Sequence, residues 1–379
     1  VPQVPASARE DLAALDGALF DAWNLGEHIV LAWTQVQGER RFVMIRHYHM
    51  LEPFDIRDGA AEAANRFVTD LLARPKFASP AQFDELVVTL GSAAQVLRVP
   101  VRKGDQVDPE LVNGLVHRYG VTLVRERAVM LLDAVGFTLH TPLEQVAMLN
   151  SLSYSVNSAY RQLISEDVQI NFARSSTGDG FYIWNRSCAP EANVALYKLL
   201  MLVLADNALA RRKATRFPVP QLRAAFHVGE HYEFYQVEAL NPTTFSYIVG
   251  RVTIDLSRMI EKAMPGQILL GDFQLDMAEG GGGRRAMGTV EFIARANEQL
   301  RQLHGLSVAR DSIADIRCYV TGRSLPGGAF EASRYLVADK HGRQRPVYNA
   351  KINIHLAGGE PIYLGLQHKS LPVSGTATD

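Results

Sequence analysis

From Arg127 onward the chain follows a pattern that few folds can satisfy, with short apolar strands set between two long helices. Ala128–Leu132 is an unbroken apolar run, as expected of a buried strand. Pro142–Ile164 carries apolar residues at helical spacing. Gln169–Ala173 and Gly180–Trp184 read as a hairpin around Ser175-Ser176-Thr177-Gly178-Asp179. Asn193–Lys213 is a second long helix ending in Arg211-Arg212-Lys213, cations where the helix dipole favours them. Leu222–His227 is a strand, and Tyr232–Val237 and Ser246–Val249 read as two more. Thr253–Ala263 is a helix stopped by Met264-Pro265-Gly266, and Gln267–Leu270 is a short strand. Strand–helix–strand–strand–helix–strand is the ferredoxin-like order, so this segment predicts an α+β domain.

The flanks read differently. Before it, Ala6–Trp23 has helical spacing, and His28–Gln35 and Arg41–His47 form a hairpin around Gln37-Gly38-Glu39. Ala60–Ala73, Pro80–Leu97 and Pro109–Tyr119 read as helices, the last with Asp108 as N-cap. After it come a glycine run, Gly280–Gly283, and a helix, Val290–Leu303. Residues 325–368 then alternate like β hairpins. The predicted organisation is an N-terminal α/β regulatory or sensory domain over 1–124, the ferredoxin-like domain over 125–279, and a helix plus C-terminal β extension over 280–379.

Composition removes other classes. The chain has 379 residues and balances 39 Lys+Arg against 40 Asp+Glu, so it lacks the basic excess of a nucleic-acid binder. Its apolar share is too high for a disordered chain. Cys188 and Cys318 cannot build a disulfide framework or a four-cysteine zinc site, and they fit a reducing cytoplasm. The longest apolar run, Val194–Leu204, is interrupted by Lys198, so no membrane span is expected. Val1–Leu15 carries acids and does not read as a signal peptide, although a membrane segment upstream of Val1 stays open.

Two acids stand out by position. Asp133 directly follows the first apolar strand, and Asp179 sits in Gly178-Asp179-Gly180 between the two hairpin strands. In a ferredoxin-like sheet these strands are neighbours, so the carboxylates can converge. Oxygen ligands beside open backbone suit Mg²⁺ or Mn²⁺, which share them with substrate phosphates. Acids after strands are also common loop residues, and spacing alone does not choose between the two readings. His227 with His231, and His47 with His49, lack the further ligands that zinc needs.

Four ordered segments supply the choice. Leu132-Asp133-Ala134-Val135-Gly136-Phe137-Thr138 resembles the metal-binding opening of the class III nucleotidyl cyclases, the adenylate and guanylate cyclases. Ser176-Thr177-Gly178-Asp179-Gly180 is similar to their second metal motif, and Phe226-His227-Val228-Gly229 to their His-x-Gly turn. Gly250 through Met259, with Pro265-Gly266-Gln267-Ile268-Leu269, resembles the stretch that bears their transition-state residues. The resemblance spans about 127–275 and suggests a divergent bacterial-type member.

It implies a homodimer with shared active sites that converts a nucleoside triphosphate to a 3′,5′-cyclic nucleotide and pyrophosphate for signalling. Asp133 and Asp179 would hold two Mg²⁺ or Mn²⁺ ions. The backbone of Ala134, Val135, Gly136, Phe137 and Thr138, with Gly178, would lie under the triphosphate. Arg258 of one chain would steady the transferring phosphate bound by the other. Ser175 and Arg251 fall at the base-reading positions, with Arg174 adjacent, and match neither purine code. Ile254 stands where the family usually has an asparagine. These departures keep a rival open, a cyclase-homology module that binds nucleotide or a partner without turnover. The tail segments Asp339-Lys340-His341-Gly342, Tyr348-Asn349-Ala350-Lys351 and Ile362-Tyr363-Leu364-Gly365-Leu366 are similar to the C-terminal extension of some bacterial cyclases, pyrimidine cyclases among them.

Overall fold

A computed structural model describes residues 6–49, 60–101, 107–168, 170–216, 218–237, 244–278, 284–308, 311–326, 330–338 and 342–367. The chain divides into two units, one of residues 1–125 with 231–249 and one of 126–230 with 250–379. The stretch 280–379, expected as a separate extension, clusters with the second unit, and the segment 231–249 clusters with the first.

The first unit is built on an antiparallel sheet of β1 (His28–Val36), β2 (Glu39–Arg46) and β3 (Gln95–Pro100). Its helices are α1 (Ala6–Trp23), α2 (Ala60–Ala73), α3 (Pro80–Leu90) and α4 (Pro109–Val116). Strand residues alternate between two cores, and an irregularity in β1 between Val30 and Ala32 shifts that alternation by one residue. Trp33 and Phe42 pack with Leu15, Leu19 and Val116, while Leu31 and Val43 pack with Leu72 and Phe83. The helix expected over Pro80–Leu97 stops at Leu90. Gly91 caps it at φ +53, and Gln95–Pro100 pairs with β2 as a strand, so the β-branched Val96 and Val99 extend a sheet instead of a helix.

β4 (Thr122–Ala134) leads into the second unit. There follow α5 (Pro142–Ser165), β5 (Phe172–Ser176), β6 (Gly180–Asn185), α6 (Pro190–Lys213), β7 (Leu222–Val237), β8 (Thr244–Val249), α7 (Arg251–Lys262) and β9 (Ile268–Gly271). Adjacent strands run β9-β7-β4-β6-β5. The last four are in the ferredoxin-like order, and β9 joins β7 in parallel. β5 begins at Phe172, later than expected, with Gln169 outside the described residues. The two strands read at Leu222–His227 and Tyr232–Val237 are one continuous strand, whose second part pairs with β8.

α5 and α6 share one apolar cluster with Met130, Leu132, Ala224 and Phe226. By alternation, Leu131, Asp133, Arg223 and Ala225 point to the other face, the face of α7. α6 is long and apolar enough to cross a membrane by length and composition, unlike the expectation from its sequence, and 83% of its apolar window is buried within the protein.

The chain closes with β10 (Gln274–Ala278), β11 (Arg284–Gly288), α8 (Thr289–Gln299), β12 (Ser307–Val308), β13 (Asp311–Val320), β14 (Gly322–Ser324), β15 (Phe330–Ala332), β16 (Arg334–Ala338), β17 (Gln344–Leu356) and β18 (Ile362–Leu364). β17 pairs with β9, and β13, β16 and β18 pair with β17. β13 lies before the region read as hairpins and had no counterpart in it. Gly280–Gly283 and Asp339-Lys340-His341 lie outside the described residues.

Candidate active site

β4 and β6 pair antiparallel with Asp133 opposite Gly180, which brings Asp179 beside the end of β4. The Ala134 N–H donates to the Asp179 carbonyl at 3.0 Å and fixes the approach. Gly180 is required for it, since a Cβ there would stand 1.9 Å from the Leu132 carbonyl oxygen. Asp133 is buried, 7% exposed. Burial raises its pKa above the ordinary carboxylate value. Arg223 opposes that rise, and the nearby Asp179 adds to it. Arg223 Nε donates to Asp133 Oδ2 at 2.6 Å. Thr177 Oγ1 donates to Asp179 Oδ1 at 3.3 Å, and Gly178, at φ +99, turns the chain between the hairpin strands.

Beyond Asp133 the backbone turns. The Val135 N–H donates to the Gln221 carbonyl at 2.8 Å, so Ala134 and Val135 have their N–H groups engaged. Gly136 takes φ +68 and opens a short 3₁₀ turn over Phe137–Leu139. Among the described residues, the N–H groups of Gly136, Phe137 and Thr138 donate to no backbone carbonyl. α5 then starts on a capping box between Thr141 and Glu144. Three open N–H groups therefore lie on the turn that follows Asp133. Ser175, on β5, pairs opposite Tyr182 near this end of the sheet. Arg174 is engaged with Ser153 Oγ and with the Phe181 ring.

The residues expected on α7 lie elsewhere in the same chain. Arg223 Nη1 donates to the Ala263 carbonyl at 3.4 Å, so the acid pair sits below the C-terminal end of α7. Arg251 and Ile254 occupy its first turns, and nine residues of helix from Ile254 to Ala263 amount to roughly 14 Å. They line a cavity of about 960 Å³ with His227, Asp255, Asp272 and Arg345, which neither Asp133 nor Asp179 lines. The Ile254 side chain is 53% exposed. Arg258, one turn further on, pairs with Glu261 at 2.5 Å. Arg251 and Ile254 thus line a cavity in which the acid pair takes no part.

Sequence reasoning missed Arg223 and Tyr182. Tyr182 donates from β6 to the Thr253 carbonyl at 3.1 Å and ties α7 to the strand that follows Asp179. The signal for Arg223 was a lone cation within the apolar strand Leu222–Phe226.

No family model and no curated protein matches the chain. Solved structures similar to it are nucleotidyl cyclase domains. The adenylyl cyclase CyaB from P. aeruginosa is 13% identical, with 63% of this chain and 97% of that one covered and a TM-score of 0.35. The guanylate cyclase domain of RhGC from Catenaria anguillulae, in complex with GTP, is 14% identical over 44% and 95%, with a TM-score of 0.32. The monomeric guanylyl cyclase domain of the RhoGC fusion protein from the aquatic fungus Blastocladiella emersonii is 12% identical over 41% and 92%, with a TM-score of 0.31.

Proposed function

We propose that the protein is a class III nucleotidyl cyclase that converts a nucleoside triphosphate to its 3′,5′-cyclic nucleotide and pyrophosphate as a homodimer. The observation that carries the reading is the convergence of Asp133 and Asp179 at the end of β4, beside the open N–H groups of Gly136–Thr138. Two carboxylates fit Mg²⁺ or Mn²⁺, which need few protein ligands when a substrate supplies phosphates. Among the described residues no cluster of three or more His, Cys, Asp or Glu side chains offers a closed cage, so the site depends on substrate oxygens. Two such ions, when bound, lower the pKa of the attacking hydroxyl and steady the leaving pyrophosphate.

The chain's own residues do the rest. Asp133, now paired with Arg223, and Asp179 would hold the ions, and the three N–H groups would bind phosphate oxygens. Arg258, whose ion-pair partner within its own chain is Glu261, would serve the site of the other chain, as the resemblance to the class III cyclases implies. A homodimer brings the two halves together. Ser175 and Arg251 contact the base, and an arginine there suits a base other than a purine.

A second reading, a module that binds nucleotide or a partner without turnover, is favoured by Ile254, whose side chain offers the ribose no hydrogen bond. Incubation with ATP, GTP, CTP and UTP in Mn²⁺ separates the two. The cyclase releases pyrophosphate and a 3′,5′-cyclic product with at least one of them. Binding without product from any base sinks the enzyme. Asp133→Ala and Asp179→Ala each abolish turnover, and survival of activity would show the metal site to be elsewhere.

A further inference from the structure

One side chain of the C-terminal extension, Arg345, bonds directly to α7. β17 pairs antiparallel with β9, Val347 opposite Gly271, which sets Arg345 beside the N-terminal half of α7. Arg345 Nε donates to Asp255 Oδ1 at 2.5 Å, and the two side chains are only 19% and 14% exposed. Asp255 also faces Arg251, at 3.7 Å with 87% of that side chain exposed, and His227 Nε2, at 3.8 Å. Of the three, Arg345 alone is close enough for a hydrogen bond and charged throughout the physiological range.

Asp255 lies three residues before Arg258 on α7, and residues three apart are neighbours on a helix surface. An acid placed N-terminal to a base is the favoured orientation of such a pair. Arg258 pairs instead with Glu261, in the reverse orientation and with Glu261 44% exposed. A sheltered Asp255 without Arg345 would attract the Arg258 guanidinium more strongly than Glu261 does. Arg251, also in the reverse orientation and largely in solvent, is the weaker competitor. We propose that Arg345 occupies Asp255 and so keeps Arg258 available to a phosphate. Arg345 is then a positioning residue, and the C-terminal strands have a task in catalysis. This inference rests on the reading of Arg258 given above.

The test compares wild type with Arg345→Ala, Asp255→Asn and the double variant, by pyrophosphate release and by the crystal structure of Arg345→Ala. Arg345→Ala lowers kcat about tenfold with KM within about twofold, a part of the 10²–10³-fold that loss of a charge-stabilising group costs. Asp255→Asn keeps the wild-type kcat, and the double variant recovers it, because no sheltered acid is left to draw Arg258 away from the exposed Glu261. In the Arg345→Ala crystal Arg258 turns from Glu261 to Asp255. An Asp255→Asn variant as slow as Arg345→Ala, or a double variant that does not recover, would show a mere structural clamp and overturn the proposal. If wild type turns over no triphosphate, the cyclase reading fails, and the crystal structure still decides whether Arg345 keeps Arg258 from Asp255. Arg258 remaining on Glu261 there overturns it.

Discussion

Arg223 Nε stands 2.6 Å from Asp133 Oδ2, with the two side chains 29% and 10% exposed. A guanidinium thus sits on a carboxylate that burial would otherwise drive toward its neutral form. Removing one partner of such a pair costs less than the 3–5 kcal/mol of a fully buried one, and about 2 kcal/mol is expected for Arg223→Gln. For a unit of this size that is roughly 4–8 °C in Tm. A divalent cation can take the place of the guanidinium and binds only the folded site, so saturating Mn²⁺ narrows the gap between variant and wild type. Thermal unfolding with and without Mn²⁺ measures this. An unchanged gap would mean that Arg223 and the metal do not compete for Asp133.

Ile254 is the departure with the clearest kinetic consequence. Its side chain projects beside Arg258 on α7 and is 53% exposed, so an asparagine fits there without repacking. A hydrogen bond formed only in the transition state raises kcat and leaves KM nearly unchanged. Ile254→Asn is expected to raise kcat by 10²-fold or more, the usual worth of such a contact. Steady-state pyrophosphate release is the measurement. A variant no faster than wild type would remove Ile254 from the transition-state position.

Much of this was legible in the sequence, and the failures have physical causes. The apolar run before Asp133 and the glycines around Asp179 put the two residues at neighbouring strand ends, where the pairing of β4 with β6 also has them, because strand register follows from alternation and tight turns need glycine. One capped helix announced its own start, with Asp108 as N-cap and Pro109 at its first position. Pro80–Leu97 was misread because Val96 and Val99 are apolar at spacings that a helix also satisfies, and only pairing with β2 resolves them. The Arg223–Asp133 and Arg345–Asp255 pairs each join residues 90 apart in sequence. Single-sequence patterns carry no information at that range.

Lys76 offers a test in the first unit. It is fully buried, and its Nζ donates to the Val121 carbonyl at 2.8 Å. Burial holds its pKa down to about 7 from 10.5. The unfolded chain takes up this proton near 10.5, so stability is lost as pH falls from there to about 7 and the loss is constant below. Lys76→Met removes the cost and forfeits one hydrogen bond, about 1 kcal/mol. The Tm difference between variant and wild type should therefore shift in favour of methionine from pH 10 to pH 7. A difference independent of pH would show that Lys76 is not buried as a neutral amine.

His227 gives the complementary prediction in the second unit. Its Nδ1 has no hydrogen-bond partner among the described residues and lies against Gly271, where a Cβ would meet it at 2.1 Å. Burial lowers its pKa from 6.5 to about 4, although Asp255 pulls it up, Arg251 pushes it down and Asp272 pulls it up. Below pH 6.5 the unfolded imidazole takes up a proton that the folded one refuses until about pH 4. Stability is therefore present above 6.5 and lost as pH falls through that window. His227→Asn removes the titration, so its urea midpoint should fall less steeply than wild type between pH 6.5 and 4. Other acid-sensitive groups cancel in the comparison. Parallel slopes for the two proteins would mean that His227 accepts its proton in the folded state as readily as in the unfolded one, and that the cavity beside α7 is wetter than its lining suggests.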